Sequence, residues 1–131
     1  MKDLGPRAAT GAGAVLLALA VAVRVPGLYT DLWLDEIWNL QIARGYGFAD
    51  ILLNVPYDAN HILNTLWLRL VGEPSWWGVY RLHSLAAGVA TVALARAAAA
   101  RWGRLEGAAA AWLAAASYLL TLYSSEARGH A

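Results

Sequence analysis

The chain has 131 residues and no cysteine, which excludes disulfides and thiolate metal sites. Its three histidines include no pair at ligand spacing, since His61 and His83 are far apart. A divalent metal therefore has no support in ligand spacing, and no cofactor is expected. Net charge is almost missing as well. Ten Lys and Arg against nine Asp and Glu leave +1, so a nucleic-acid partner is not expected. Charge is wholly absent from residues 8–23 and 107–123, and no internal repeat is visible. What remains is apolar: 60% hydrophobic residues and a mean hydropathy of +0.45. Soluble domains sit near 45–50% apolar, so the lipid bilayer is the expected surrounding. At roughly 20 residues per crossing, the length allows about three spans and one loop.

In chain order, a short basic start (Lys2, Arg7) precedes the first charge-free run. Extended over 8–28, with Arg24 reaching its guanidinium to the interface, that run is long enough to cross. A secretory signal peptide competes for the same segment, but the downstream chain is itself membranous, so a span is preferred. Residues 29–75 are acidic, with Asp31, Asp35, Glu36, Asp50, Asp58 and Glu73 against only Arg44 and Arg69. Within this stretch, 33–44 has helical length, with Trp33, Ile37 and Leu40 on one side, the pattern of a helix lying on a membrane surface. Gly45 and Gly47 end it. A second short element is expected over 48–55, stopped by Pro56. The segment 62–71 reads as an amphipathic helix too short to span. Trp76, Trp77 and Tyr80 form an expected aromatic belt, followed by spans over 79–100 and 107–123. Alanine-rich stretches within them fit helices packed through small residues.

Charge sets the expected orientation. Lys2, Arg7 and the Arg96/Arg101/Arg104 turn belong in the cytoplasm by the positive-inside rule. The acidic loop 29–75 is then extracytoplasmic, and so is the end of the chain after the third span. The expected fold is thus all-α: polytopic integral membrane helices, with an extracytoplasmic loop of interfacial helices and a cytoplasmic N-terminus in the cell membrane.

Trp33-Leu34-Asp35-Glu36-Ile37-Trp38 holds the most suggestive chemistry. Two adjacent carboxylates sit between tryptophans at the membrane edge, where charge is costly without work or partners. Neighbours on a helix point about 100° apart, so one of the pair can face a pocket while the other caps or pairs. The plainer reading is two helix-start acids favoured by the dipole. Asp58, Asn60 and His61 are suited to sugar hydroxyls or a metal, or to turn chemistry before a helix. Arg81 and His83 fit either headgroup contact or a lipid phosphate. Glu126 and Arg128 are two apart and do not face each other on a helix, which suits separate partners, and an arginine fork suits phosphate.

These motifs, in this order, resemble the amino-terminal part of the GT-C membrane glycosyltransferases. The closest subgroup is the protein O-mannosyltransferase and aminoarabinose-transferase-like family. The resemblance rests on Trp33-Leu34-Asp35-Glu36, Asp58-Ala59-Asn60-His61-Ile62-Leu63-Asn64, Tyr80-Arg81-Leu82-His83-Ser84 and Tyr123-Ser124-Ser125-Glu126-Ala127-Arg128-Gly129-His130. It covers nearly the whole of 1–131, and it departs at His130, where many relatives have Tyr, and at Ile62, where many have Pro. It implies a catalytic Asp35 beside Glu36, acting as general base on an acceptor hydroxyl. It also implies a polyprenyl-phosphate sugar donor, with Asp58, Asn60, His61, Arg81, Glu126 and Arg128 lining the substrate cavity. The family has more spans than this chain, so 1–131 is expected to correspond to its amino-terminal part. Two other readings use the same residues: a non-catalytic small membrane protein packing with other helices, and a piece of a transporter.

Overall fold

The computed structural model describes residues 6–54 and 61–127. It is all-helical, with no strand among the described residues. The helices are α1 (Pro6–Ala22), α2 (Leu34–Gly45), α3 (Phe48–Leu53), α4 (Ile62–Val71), α5 (Leu82–Ala99), α6 (Arg104–Ala116) and α7 (Tyr118–Tyr123). Two single-turn 3-10 segments, Val25–Tyr29 and Trp77–Arg81, precede α2 and α5.

α1, α5 and α6 pack side by side around Ala20, Val92, Ala111, Ala114 and Ala115, with Leu16, Leu17 and Ala95 at the margin. Four of these five core residues are alanine, so the helices approach through small side chains. Their large apolar residues point outward instead, among them Leu19, Leu94, Leu105, Trp112 and Leu113. That inversion of a soluble protein's pattern fits a lipid environment. Above one end of the bundle sits a cap built from α2 and α4 with the second 3-10 segment. Leu40, Ala43, Leu68, Tyr80 and Ala127 form its core.

Membrane crossing is supported most directly at Trp77–Ala99, a 23-residue helical stretch that is long and apolar enough to span. At 1.5 Å per residue it covers about 35 Å. The expected first span has a different shape. Gly13–Tyr29 and Leu34–Gly45 pass the same test as a pair bent by 74°, because the chain leaves the helical region between them, extended at Thr30 and Trp33, before α2 begins. The expected span over 107–123 is also broken. Ser117 leaves the helix at φ −63°, ψ 118° and its Oγ accepts the Leu120 N–H at 3.4 Å, starting α7 as a cap would.

Other local expectations also change. Arg24 does not reach outward: it is fully buried between α1 and the residue 124 turn. Tyr80 belongs to the cap's core, its hydroxyl donating to the Gly72 carbonyl at 2.7 Å. Trp76 and Trp77 remain at the rim, with Tyr29 against Trp76 at 5.3 Å between ring centroids. The inward stripe of α2 is Glu36, Asn39, Leu40 and Ala43, while Trp33 and Ile37 stay outside. The helix over 62–71 forms as expected.

Candidate functional site

The cap's polar centre begins with one side chain. Glu36 stands in the first turn of α2 and curls back so that Oε2 accepts the Trp33 N–H at 2.8 Å. An acid in a first turn is the ordinary way to satisfy an orphan amide there. This one does more. Arg81 meets it as a two-pronged partner, Nε to Oε1 at 2.8 Å and Nη2 to Oε2 at 2.6 Å. The Ala127 N–H reaches Oε1 from the other end of the chain, at 2.6 Å. Both charged residues are 1% exposed.

Arg81 spends its remaining donors on the chain that leads into α2. Nη1 donates to the Gly27 carbonyl, to the Thr30 carbonyl at 2.9 Å and to Thr30 Oγ1 at 2.7 Å. Nη2 also donates to the Asp31 carbonyl at 2.8 Å. Every guanidinium nitrogen has a partner within the protein, which is what makes a buried ion pair tolerable. Burial pushes the Glu36 carboxyl up. Its bonds from Arg81, Ala127 and Trp33, with the Arg81 charge, outweigh that and hold it below its ordinary value.

Asp35 is placed differently. One residue earlier on α2, it is exposed, about 100° around the helix from Glu36. Its carbonyl accepts from Asn39 Nδ2 at 2.9 Å. Asn39 Oδ1 in turn accepts from Thr65 Oγ1 at 3.2 Å, tying α2 to α4. One step along α4, Asn64 Nδ2 donates to the Ala127 carbonyl at 2.8 Å. His61 sits at the start of α4, where its carbonyl accepts the Thr65 N–H at 2.9 Å. Glu126 is 5% exposed on the turn beside Ala127. His83 lies against Trp67, its Nδ1 3.0 Å from the Tyr80 carbonyl.

Of the residues singled out from sequence, the structure thus gathers Glu36, Arg81 and the Glu126–Ala127 turn into one buried cluster. Asp35 stands at its exposed edge, and His61 is on the adjoining helix. Asp58, Asn60 and Arg128 lie outside the described residues. Arg81 neither snorkels nor offers an unused donor, and Glu36 is an acceptor for four N–H groups rather than an accessible base. Sequence reasoning passed over Asn39, Asn64, Thr65 and Arg24 as site residues. Asn64 was visible as part of a quoted motif, and uncharged polar residues at 39 and at 64–65, within two short helices, were the available signal. Among the described residues, no group of three His, Asp or Glu is arranged to hold a metal ion.

No family model matches this chain, and comparison with curated proteins and with solved structures finds nothing significantly similar.

Proposed function

We propose that the chain carries the acidic centre of a membrane glycosyltransferase. In this reading a sugar passes from a polyprenyl-phosphate donor to an acceptor hydroxyl at the extracytoplasmic face. Asp35 is the general base. The observation that carries this is the division of labour between adjacent acids. Glu36 is buried, ion-paired and saturated with donors, while Asp35 remains exposed at the same helix start. A base must reach the proton it removes, and of the two only Asp35 has that access. Glu36 and Arg81 then hold the backbone that presents it. Arg128 and Glu126 serve the donor side, where a fixed cation stabilises the departing phosphate.

The same reading makes the chain multi-pass with a cytoplasmic N-terminus. The arginines at 96, 101 and 104 lie at the end of α5 remote from the acidic cap, which supports that orientation. The deciding experiment is Asp35→Asn, assayed as sugar transfer from polyprenyl-phosphate sugar in membranes with protein level matched. Transfer should fall about 10²–10⁴-fold with membrane insertion intact, because Asn keeps the shape and cannot take the proton. Undiminished transfer by Asp35→Asn would return Asp35 to the role of a helix-start acid.

A second reading rests on the outer face of α6 and α7, where Trp112, Leu113, Tyr118 and Leu119 are exposed in a row of large apolar groups. That surface suits other membrane helices as well as lipid, as expected of a non-catalytic packing subunit. Such a subunit would show no transfer and no sensitivity to Asp35.

A further inference from the structure

The turn at residues 124–127 is gripped by side chains from three different helical elements. Just past the end of α1, Arg24 Nε donates to Ser124 Oγ at 2.6 Å. From α2, Glu36 Oε1 accepts the Ala127 N–H at 2.6 Å. From α4, Asn64 Nδ2 donates to the Ala127 carbonyl at 2.8 Å. The three side chains are at most 1% exposed, and the ties span 100, 91 and 63 residues of sequence. The backbone also makes room for this turn. A Cβ at Gly27 would stand 2.6 Å from Ser125 Cβ, and one at Gly88 would fall on the Ser124 side chain.

Both backbone polar groups of Ala127 therefore end on buried side chains from distant helices. Main-chain groups in a surface turn ordinarily find water. Here a carboxylate and an amide are desolvated to hold them, a cost that the bonds to Ala127 help to offset. Asn64 shows the direction of the arrangement. Its Oδ1 is buried without a hydrogen-bond partner among the described residues, so the donor that it extends to Ala127 is its contribution to the turn.

We propose that Asn64 is a positioning residue: with Glu36 it grips both backbone groups of Ala127 and docks the 124–127 turn, with Glu126, against the acidic end of α2. This rests on Asp35 as the base and Glu126 as a substrate-side group. The turn is then part of the site rather than its boundary, and α4 acts on the reaction without touching the reacting atoms.

The cysteine-free sequence makes the test direct. Ser125, whose hydroxyl makes only the local bond to the Thr121 carbonyl among the described residues, is replaced in Ser125→Cys to give a single reporter labelled by a maleimide in membranes. Adding Asn64→Ala should speed labelling roughly tenfold, the scale of one lost buried hydrogen bond. Asn64→Asp should do the same at neutral pH, where a carboxylate cannot donate to the Ala127 carbonyl. Measured as a ratio to the Asn64 chain at the same pH, which cancels the falling thiolate fraction of the reporter, it should slow again on acidification, when the protonated carboxyl can donate. A misfolded variant would not recover in this way. In the transfer assay, Asn64→Ala should lower kcat with little change in KM, and acid should restore kcat to Asn64→Asp in step with slower labelling. Labelling that is indifferent to Asn64→Ala, or an Asn64→Asp rate that acid does not bring back toward that of the Asn64 chain at the same pH, overturns the clamp. Faster labelling with unchanged kcat overturns the positioning role. Should the unaltered chain transfer no sugar, the Asp35 reading fails by itself and the labelling results still decide the clamp.

Discussion

Two arginines, Arg24 and Arg81, are buried among the described residues, and their surroundings differ. Arg81 lies in the cap with a carboxylate across from it and an acceptor for every nitrogen. Arg24 lies at the upper end of the bundle, where Nε reaches Ser124, Nη1 reaches the Ala20 carbonyl at 3.0 Å and Nη2 has no hydrogen-bond partner among the described residues. No carboxylate is in contact with Arg24 among the described residues. One cation is the hub of a network that joins the approach to α2, the start of α5 and the end of the chain. The other is a tether between one helix and one turn. The lesson is that burial alone does not rank charged residues. What ranks them is how many groups would be left without partners on removal.

The largest expected effect follows from the hub. Arg81→Met should destabilise the fold by about 3–5 kcal/mol, because Glu36 would remain buried without its counter-charge. The check is thermal unfolding in detergent or nanodiscs, set beside Glu36→Gln and the double variant. The double variant should cost clearly less than the sum of the singles, since the two side chains form one unit. Additive losses would mean that the pair is only incidental.

Arg24→Met should cost far less, within about 1 kcal/mol of neutral, since an apolar side chain of similar reach removes an uncompensated buried cation. Ser124 keeps its own acceptor in the Thr121 carbonyl. If Arg24→Met proves as damaging as Arg81→Met, the contrast between hub and tether fails.

The smallest effect is a pH dependence that belongs to the cap alone. A carboxyl held below its ordinary value of 4.5 in the folded state contributes stability that is fully present above that value. The contribution is lost as pH falls below it, through the lower folded pKa. Acid unfolding of the unaltered protein should therefore steepen below the ordinary carboxylate range, and Arg81→Met should flatten that portion of the profile. Arg24→Met should leave it unchanged. Equal slopes in all three proteins would remove Glu36 as the cause.

Much of this fold was legible in the residue pattern. The helix over 62–71, the glycine-ended helix before residue 47 and the apolar stretch into residue 99 all follow from periodicity, chain breakers and runs without charge. The interruptions were harder to read. Ser117 breaks a charge-free run because its hydroxyl competes for a backbone amide, and a lone serine in an alanine-rich run is equally compatible with an unbroken helix. The buried partners of Glu36 were harder still, lying 45 and 91 residues away.

The sequence by itself determined that the chain would be helical and apolar, that most of its acids would gather between the first charge-free run and Trp76, and that Asp35 and Glu36 would diverge. Divergence follows from the 3.6-residue turn, which separates neighbours by about 100° whatever surrounds them. Only the tertiary structure decided that Glu36 would be the one turned inward. Either rotation of α2 satisfies the local pattern. The choice falls to contacts from Arg81 and Ala127, two groups that reach the helix only after the rest of the chain has folded around it.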